Sequence, residues 1–349
     1  MEREREGKFP GVPTGRFPSG RGPIAAGART LPAVAAALIV GACGGETSIV
    51  SPKGPAARSV TGLWWPMLAT ATAVFAFVAG MLLLAAARGR RKSDDDAKVT
   101  PRWGEPFIVV AGVGISGAIL VGFFLFSLSR VQALTDAGRR PDVTIGVIGH
   151  DWWWEVRYPN GATSANEIHI PAGRKVRLNL DTDDVIHSFW VPSLGPKIDM
   201  IPGQHNSLWL EAARPGVYRG QCAEFCGLQH ANMLIRVVAD TPAGFDAWIA
   251  REAEPADAGA AGGRDLFEHQ TCAGCHTVRG TQAQGKVGPD LTHFARRDTL
   301  GAGVKPRTDE NLAHWIADPQ SVKPGVTMPP ITLPADQLDS LVAYLEGLR

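Results

Sequence analysis

With 349 residues and a formal net charge of +1, the chain has room for two or three domains and no bulk charge to hold a polyanion, so nucleic acid is not an expected partner. Hydrophobic residues make up 45%, but they are unevenly spread: two long apolar runs lie in the first third, and the remainder reads as soluble. The five cysteines fall as one single and two closely spaced pairs, which points to metal or cofactor chemistry rather than a disulfide framework.

Met1 to Arg29 is rich in Arg, Gly and Pro and is expected to be unstructured. Leu31 to Ala42 is apolar, too short to span a bilayer and suited to a signal-peptide core. Val40-Gly41-Ala42 before Cys43 resembles the bacterial lipoprotein cleavage box. Residues 1–42 therefore read as a signal peptide of lipoprotein type, with Cys43 as the lipidated mature N-terminus; the alternative is an ordinary signal peptide and an incidental Cys.

Residues 43–135 form a predicted transmembrane hairpin, with spans at about 63–87 and 107–128. Each is a charge-free apolar run of about 20 residues or more, the length a hydrocarbon core needs, and Trp64 and Trp65 suit an interfacial belt. Arg88, Arg90, Arg91 and Lys92 between the spans make that loop cytoplasmic, so everything after Arg130 is expected outside.

Residues 140–242 change texture. Val143, Ile145 and Val147 alternate with other residues, as do Val176, Leu178 and Leu180, which predicts strands with one buried face. Pro/Gly turns punctuate them, so a small β sandwich or barrel is expected. Near its end, Gly220 to Met233 holds Cys222, Cys226, His230 and Met233, the soft and borderline donors that select copper. A mononuclear blue-copper site needs one Cys; two bridging thiolates can hold two coppers. His187 is the best candidate for a second imidazole. A zinc site or a redox dithiol is the alternative. His150, His169 and His205 belong to no motif and read as structural or surface residues.

Residues 243–262 read as a linker, clearest in the Ala/Gly/Glu/Asp-rich run from Arg251. In residues 263–349, Gly263 to Thr271 leads into Cys272-Ala273-Gly274-Cys275-His276, the attachment signature of a c-type haem. The thiols of Cys272 and Cys275 would form thioethers, and His276 would ligate iron. Met328 is the single Met downstream, between stiffening prolines, and is the candidate sixth ligand. A bis-His haem using His269, His293 or His314 is the alternative. Leu338, Leu341, Val342 and Leu345 share one face of a C-terminal helix.

The two spans, the β domain and the Cys222–Met233 loop resemble subunit II of haem–copper cytochrome oxidases. Residues 263–349, with Gly288-Pro289-Asp290-Leu291 and the Met loop, resemble a class I cytochrome c. Together the parts look like the fused subunit of a caa3-type oxidase. The resemblance implies a multidomain membrane protein: a two-helix hairpin, an all-β cupredoxin-like domain and an all-α cytochrome c domain. It implies a binuclear CuA centre on Cys222, Cys226, His187, His230, Met233 and the Glu224 carbonyl, with the Glu224 carboxylate helping to hold magnesium at the subunit interface. Trp152, first of Trp152-Trp153-Trp154, would be where electrons enter. The implied role is to accept electrons from cytochrome c or a quinol–cytochrome c reductase and pass them through haem c and CuA. They would go to a catalytic subunit I, accompanied by subunit III, that reduces oxygen and pumps protons. The implied location is the bacterial inner membrane, two-pass, with both redox domains on the periplasmic face. Remaining readings are a nitric oxide-reducing relative, a quinol oxidase subunit, which would lack the copper ligands, and a copper-delivery protein.

Overall fold

The computed structural model describes residues 45, 47–89, 104–135, 140–256 and 261–349. The signal segment, Cys43 and the basic residues Arg90, Arg91 and Lys92 lie outside the described residues.

Among the described residues, two helices are long and apolar enough to cross a membrane. Helix α1 is Pro55–Gly89. The second begins as α2 (Gly104–Phe107), widens into a π-helical stretch (Ile108–Ile115) and ends as α3 (Ser116–Thr135). The widened stretch is rich in Val, Ile and Gly, residues of modest α propensity. Helices α1 and α3 pack together, while Phe75, Leu82, Leu83, Leu120 and Phe124 point outward, exposed. Such a surface is stable in lipid and not in water. The first helix starts well before the expected span. Its opening turns are held by the β domain: the Ala57 N–H donates to the Leu194 carbonyl at 3.2 Å, and Ala57 and Thr61 are buried.

The β domain is a sandwich of two five-stranded sheets. One has the order β3 (Thr163–Ala165), β2 (Trp153–Arg157), β1 (Val143–His150), β5 (Val176–Thr182), β8 (Asn206–Leu210). The other runs β4 (Glu167–Pro171), β10 (Leu234–Asp240), β9 (Gly216–Cys222), β6 (His187–Trp190), β7 (Ile198–Met200). The β1–β5 and β10–β4 pairs are parallel and the rest antiparallel. The alternation seen in the sequence sets the inward face: Ile145, Val147, Val176, Leu178 and Leu180 are fully buried with Trp154, Phe189 and Val237.

The expected linker over 243–262 needs correction in its first half. Pro242–Glu252 is a helix, α4. Thr241 caps it, its hydroxyl oxygen accepting the Gly244 N–H at 3.1 Å, and Pro242 supplies the preset first turn. Phe245 and Trp248 on its inner face join the sandwich core. The helix belongs to the β domain because its apolar face has that one place to go.

The C-terminal domain is helical. Helix α5 (Ala261–His269) crosses α9 (Ala335–Gly347) at close range. A Cβ on Gly263 would lie 2.1 Å from the Ser340 carbonyl oxygen, so only glycine admits the crossing. Between them come the short turn α6 (Cys272–Cys275), the two-stranded β11–β12 (Thr299–Leu300, Lys305–Pro306), α7 (Asp309–Ala317) and α8 (Pro319–Val322). Phe267, Leu312, Ile316, Leu341, Tyr344 and Leu345 form its core.

Candidate metal centre and cofactor cleft

Strand pairing assembles the first site. Strands β6 and β9 pair antiparallel, with Phe189 opposite Cys222, which sets His187 at the start of β6 beside Cys222 at the end of β9. The loop that follows carries Glu224 and Cys226, a single turn opens at His230, and Met233 precedes β10. The Cys222 Sγ lies 3.9 Å from His187 Nδ1, and Cys226 Sγ lies 3.6 Å from His230 Nδ1 and 3.9 Å from Met233 Sδ. The Glu224 carbonyl oxygen is 3.2 Å from Cys222 Sγ. The donor atoms of His187, Cys222 and Cys226 all lie within 4.8 Å of one another. His187, Cys222, Cys226 and Met233 are buried, while His230 and Glu224 are partly exposed. The fold thus brings together every donor the sequence singled out for copper.

Packing orients these groups. The His187 ring fits against Gly149, where a Cβ would stand 2.7 Å from its Cδ2. Its Nε2 bonds the Asp184 carboxylate at 2.8 Å, which leaves Nδ1 facing the sulfurs. Burial opposes a charged His187, but the hydrogen bonds to Asp184 and Cys222 prevail and raise its pKa to about 9. The hydrogen bond between the two thiols pulls Cys222 well below the ordinary thiol range and pushes Cys226 up. A negative, sulfur-rich pocket that draws protons onto its donors fits a soft cation, and two sulfurs in reach of two imidazoles and a thioether fit copper.

The second site is a solvent-open cleft of about 1340 Å³ lined by Cys272, Cys275, His276 and Met328 together with Leu291, Phe294, Trp315 and Leu341. Neither cysteine is in a disulfide. His276 Nδ1 bonds the Pro289 carbonyl at 2.8 Å, so Nε2 is the nitrogen left for a metal. Burial lowers the His276 pKa and keeps the imidazole neutral, as ligation requires. Gly288 makes room for it: a Cβ there would lie 2.5 Å from His276 Cε1. Gln320 ties down the Met loop, donating to the Val326 carbonyl at 2.7 Å and the Met328 carbonyl at 3.3 Å. An apolar cleft with two thiols, one neutral imidazole and one thioether on its walls fits a haem.

The three tryptophans divide. Trp154 is wholly buried against Phe189. Trp153 stacks on His150 at 4.3 Å. Trp152 lines the cofactor cleft, and its indole N–H donates to the Cys226 carbonyl at 2.8 Å. The unassigned histidines are accounted for by other contacts. His150 bonds Glu155, His169 bonds Asp240, His205 bonds Asp181, His269 bonds the Asp265 carbonyl, His293 bonds the Glu254 carbonyl and His314 bonds Ser321. Sequence reasoning missed Asp184, though a carboxylate three residues before a ligand-type His is a usable signal. It also missed Lys323, whose role depends on contacts across domains that no local pattern carries.

Residues 162–240 match the family described as cytochrome c oxidase subunit II, periplasmic domain, and residues 260–349 match cytochrome c. A cytochrome c oxidase subunit 2 from Alkalihalophilus pseudofirmus is 36% identical over 334 residues, covering 92% of this chain and 97% of that one. This chain belongs to the cytochrome c oxidase subunit 2 family. Another subunit 2, from Bacillus subtilis, is 31% identical over 66% of this chain and 70% of its own length. The solved periplasmic domain of subunit II of cytochrome oxidase from Bradyrhizobium japonicum is 32% identical, covers 33% of this chain and 95% of that chain, and gives a TM-score of 0.32. As a subunit 2 with an attached cytochrome c domain, the chain is part of a haem–copper terminal oxidase, an oxidoreductase, and serves electron transfer through copper and haem. It is a membrane protein with its copper domain outside.

Proposed function

We propose that this chain is the electron-accepting subunit of a caa3-type oxidase. One observation carries the reading: the Trp152 indole lines the cofactor cleft and hydrogen-bonds the backbone of Cys226, so a single side chain touches both sites. In this reading Cys222, Cys226, His187, His230, Met233 and the Glu224 carbonyl would hold the binuclear copper centre. Cys272 and Cys275 would hold haem c covalently, and His276 and Met328 would be its iron ligands. When bound, the two groups would supply one-electron redox chemistry.

The chain's own residues do the rest. Trp152 provides a bonded route from the cleft to Cys226. Asp184 fixes the His187 ring. The buried walls around Cys222 and Met233 exclude water, which limits reorganisation on each transfer. Beside the copper loop, a cleft lined by Ile49, Ala57, Trp190, Lys197 and His230 lies where α1 leaves the β domain. That position suits contact of His230 and Glu224 with a catalytic subunit I in the bilayer, and with it a magnesium ion on Glu224. Subunit III, an external cytochrome c or quinol–cytochrome c reductase as donor, a two-pass inner-membrane topology and lipidation at Cys43 complete the proposal.

The test is a Trp152→Leu variant of the assembled oxidase. Flash reduction of the haem should be followed by copper reduction at least about tenfold more slowly than in the parent, with the copper near-infrared band and haem spectrum retained. An unchanged rate contradicts the route.

A further inference from the structure

The cytochrome domain is seated on the copper domain, and the seat has a specific fastener. Lys323 follows α8 in the cytochrome domain and is only 2% exposed. Its ammonium donates to three backbone carbonyls: Trp152 at 2.7 Å, Asn232 at 2.8 Å and Gly301 at 2.9 Å. The first two belong to the copper domain, Asn232 within its copper loop and Trp152 between β1 and β2, and the third to the cytochrome domain. A lysine ammonium has three N–H donors, and all three are used. Burial draws the pKa of this lysine down to about 7, opposed in part by the nearby Cys226 sulfur. A buried lysine with no carboxylate partner among the described residues is costly unless its position is needed.

The next two residues continue the contact. Gln229 donates to the Pro324 carbonyl at 2.7 Å. Gly325 adopts a φ of +89° and lies so close to the copper domain that a Cβ would stand 2.7 Å from Leu228 Cδ2 and 3.8 Å from Trp152. Three consecutive residues therefore plug the cytochrome domain onto Trp152 and the copper loop. At the edge, Arg236 pairs with Asp298 across the same boundary at 2.7 Å.

We propose that Lys323 is a positioning residue: it clamps the cytochrome domain onto the backbone of Trp152 and Asn232, so that haem-to-copper transfer runs inside a standing complex rather than by repeated domain encounter. The proposal rests on the two-centre reading above. It adds that the Trp152 face is covered in the resting protein.

The test compares wild-type, Lys323→Met and Asp298→Lys forms of the assembled oxidase after flash reduction of the haem. Methionine keeps length and burial but donates nothing. Asp298→Lys sets a lysine against Arg236 from an exposed position, and so reports on docking if Lys323→Met folds poorly. In wild type the internal rate should be independent of solvent viscosity. In the variants it should fall by at least about tenfold and become viscosity-dependent, because docking now precedes each transfer. The potentials and spectra of both centres should not move. A rate unchanged in both variants, with both centres loaded, overturns the clamp. A slowed rate that stays independent of viscosity overturns it too, since that marks a local structural effect. Absence of the copper or haem band from the wild type would instead sink the two-centre reading beneath it.

Discussion

Asp184 illustrates how much of the copper site is held by residues that touch no metal. Its carboxylate accepts from His187 Nε2 and from the backbone N–H groups of Asp151 and Val185, both at 2.6 Å. One side chain thus fixes a candidate ligand and the backbone leading into Trp152. Asp184→Ala should weaken copper retention by roughly 10- to 100-fold, read as the chelator concentration that strips the near-infrared band, with haem content unaffected. Retention equal to the parent would mean that strand β6 alone orients His187. The cysteine, histidine and methionine donors were legible because their chemistry is local and their spacing short. Asp184 was less so, because carboxylates crowd that stretch at Asp181, Asp183 and Asp184, and only the fold selects the one that meets the ring.

Among the elements, the strands were legible from alternation, since each buries one face in a sandwich and Val176, Leu178 and Leu180 have no other face to bury. The helix α4 was hidden by its neighbourhood. Its Thr-Pro start is a recognisable cap, but the Ala/Gly/Glu/Asp-rich run just beyond it lowers the apolar signal of the whole segment. The contacts leave no doubt of its weight: Trp248 stacks on His169 with centroids 4.0 Å apart and meets Tyr158 edge-on at 5.0 Å. Trp248→Ala should cost the copper domain about 3–5 kcal/mol, measured by denaturant unfolding followed at the copper band. A loss under about 1 kcal/mol would show that the helix is an appendage, as a linker would be. The first membrane helix makes a related point: hydropathy finds its apolar middle but not its docked opening turns, because Ala57 and Thr61 are buried by the β domain rather than by lipid.

At the scale of the whole molecule, the order of parts could be read directly: a membrane hairpin, a copper-type loop in a β domain and a haem motif in a helical one. Their seating could not. Lys323, Gln229 and Gly325 carry no motif, and they matter because residues separated by most of the soluble chain meet at one boundary. A relay built this way needs a centre that gives and takes single electrons with little movement, which two metals sharing one electron would provide and a dithiol, a two-electron couple, would not. The most direct measurement is therefore the electron paramagnetic resonance spectrum of the oxidised, copper-loaded full chain, with metal analysis alongside. The account predicts two coppers per chain and an unpaired electron split equally by two copper nuclei, abolished by Cys222→Ser or Cys226→Ser while the haem spectrum persists. One copper per chain, or splitting by a single nucleus with a thiol left free to alkylate, would contradict it.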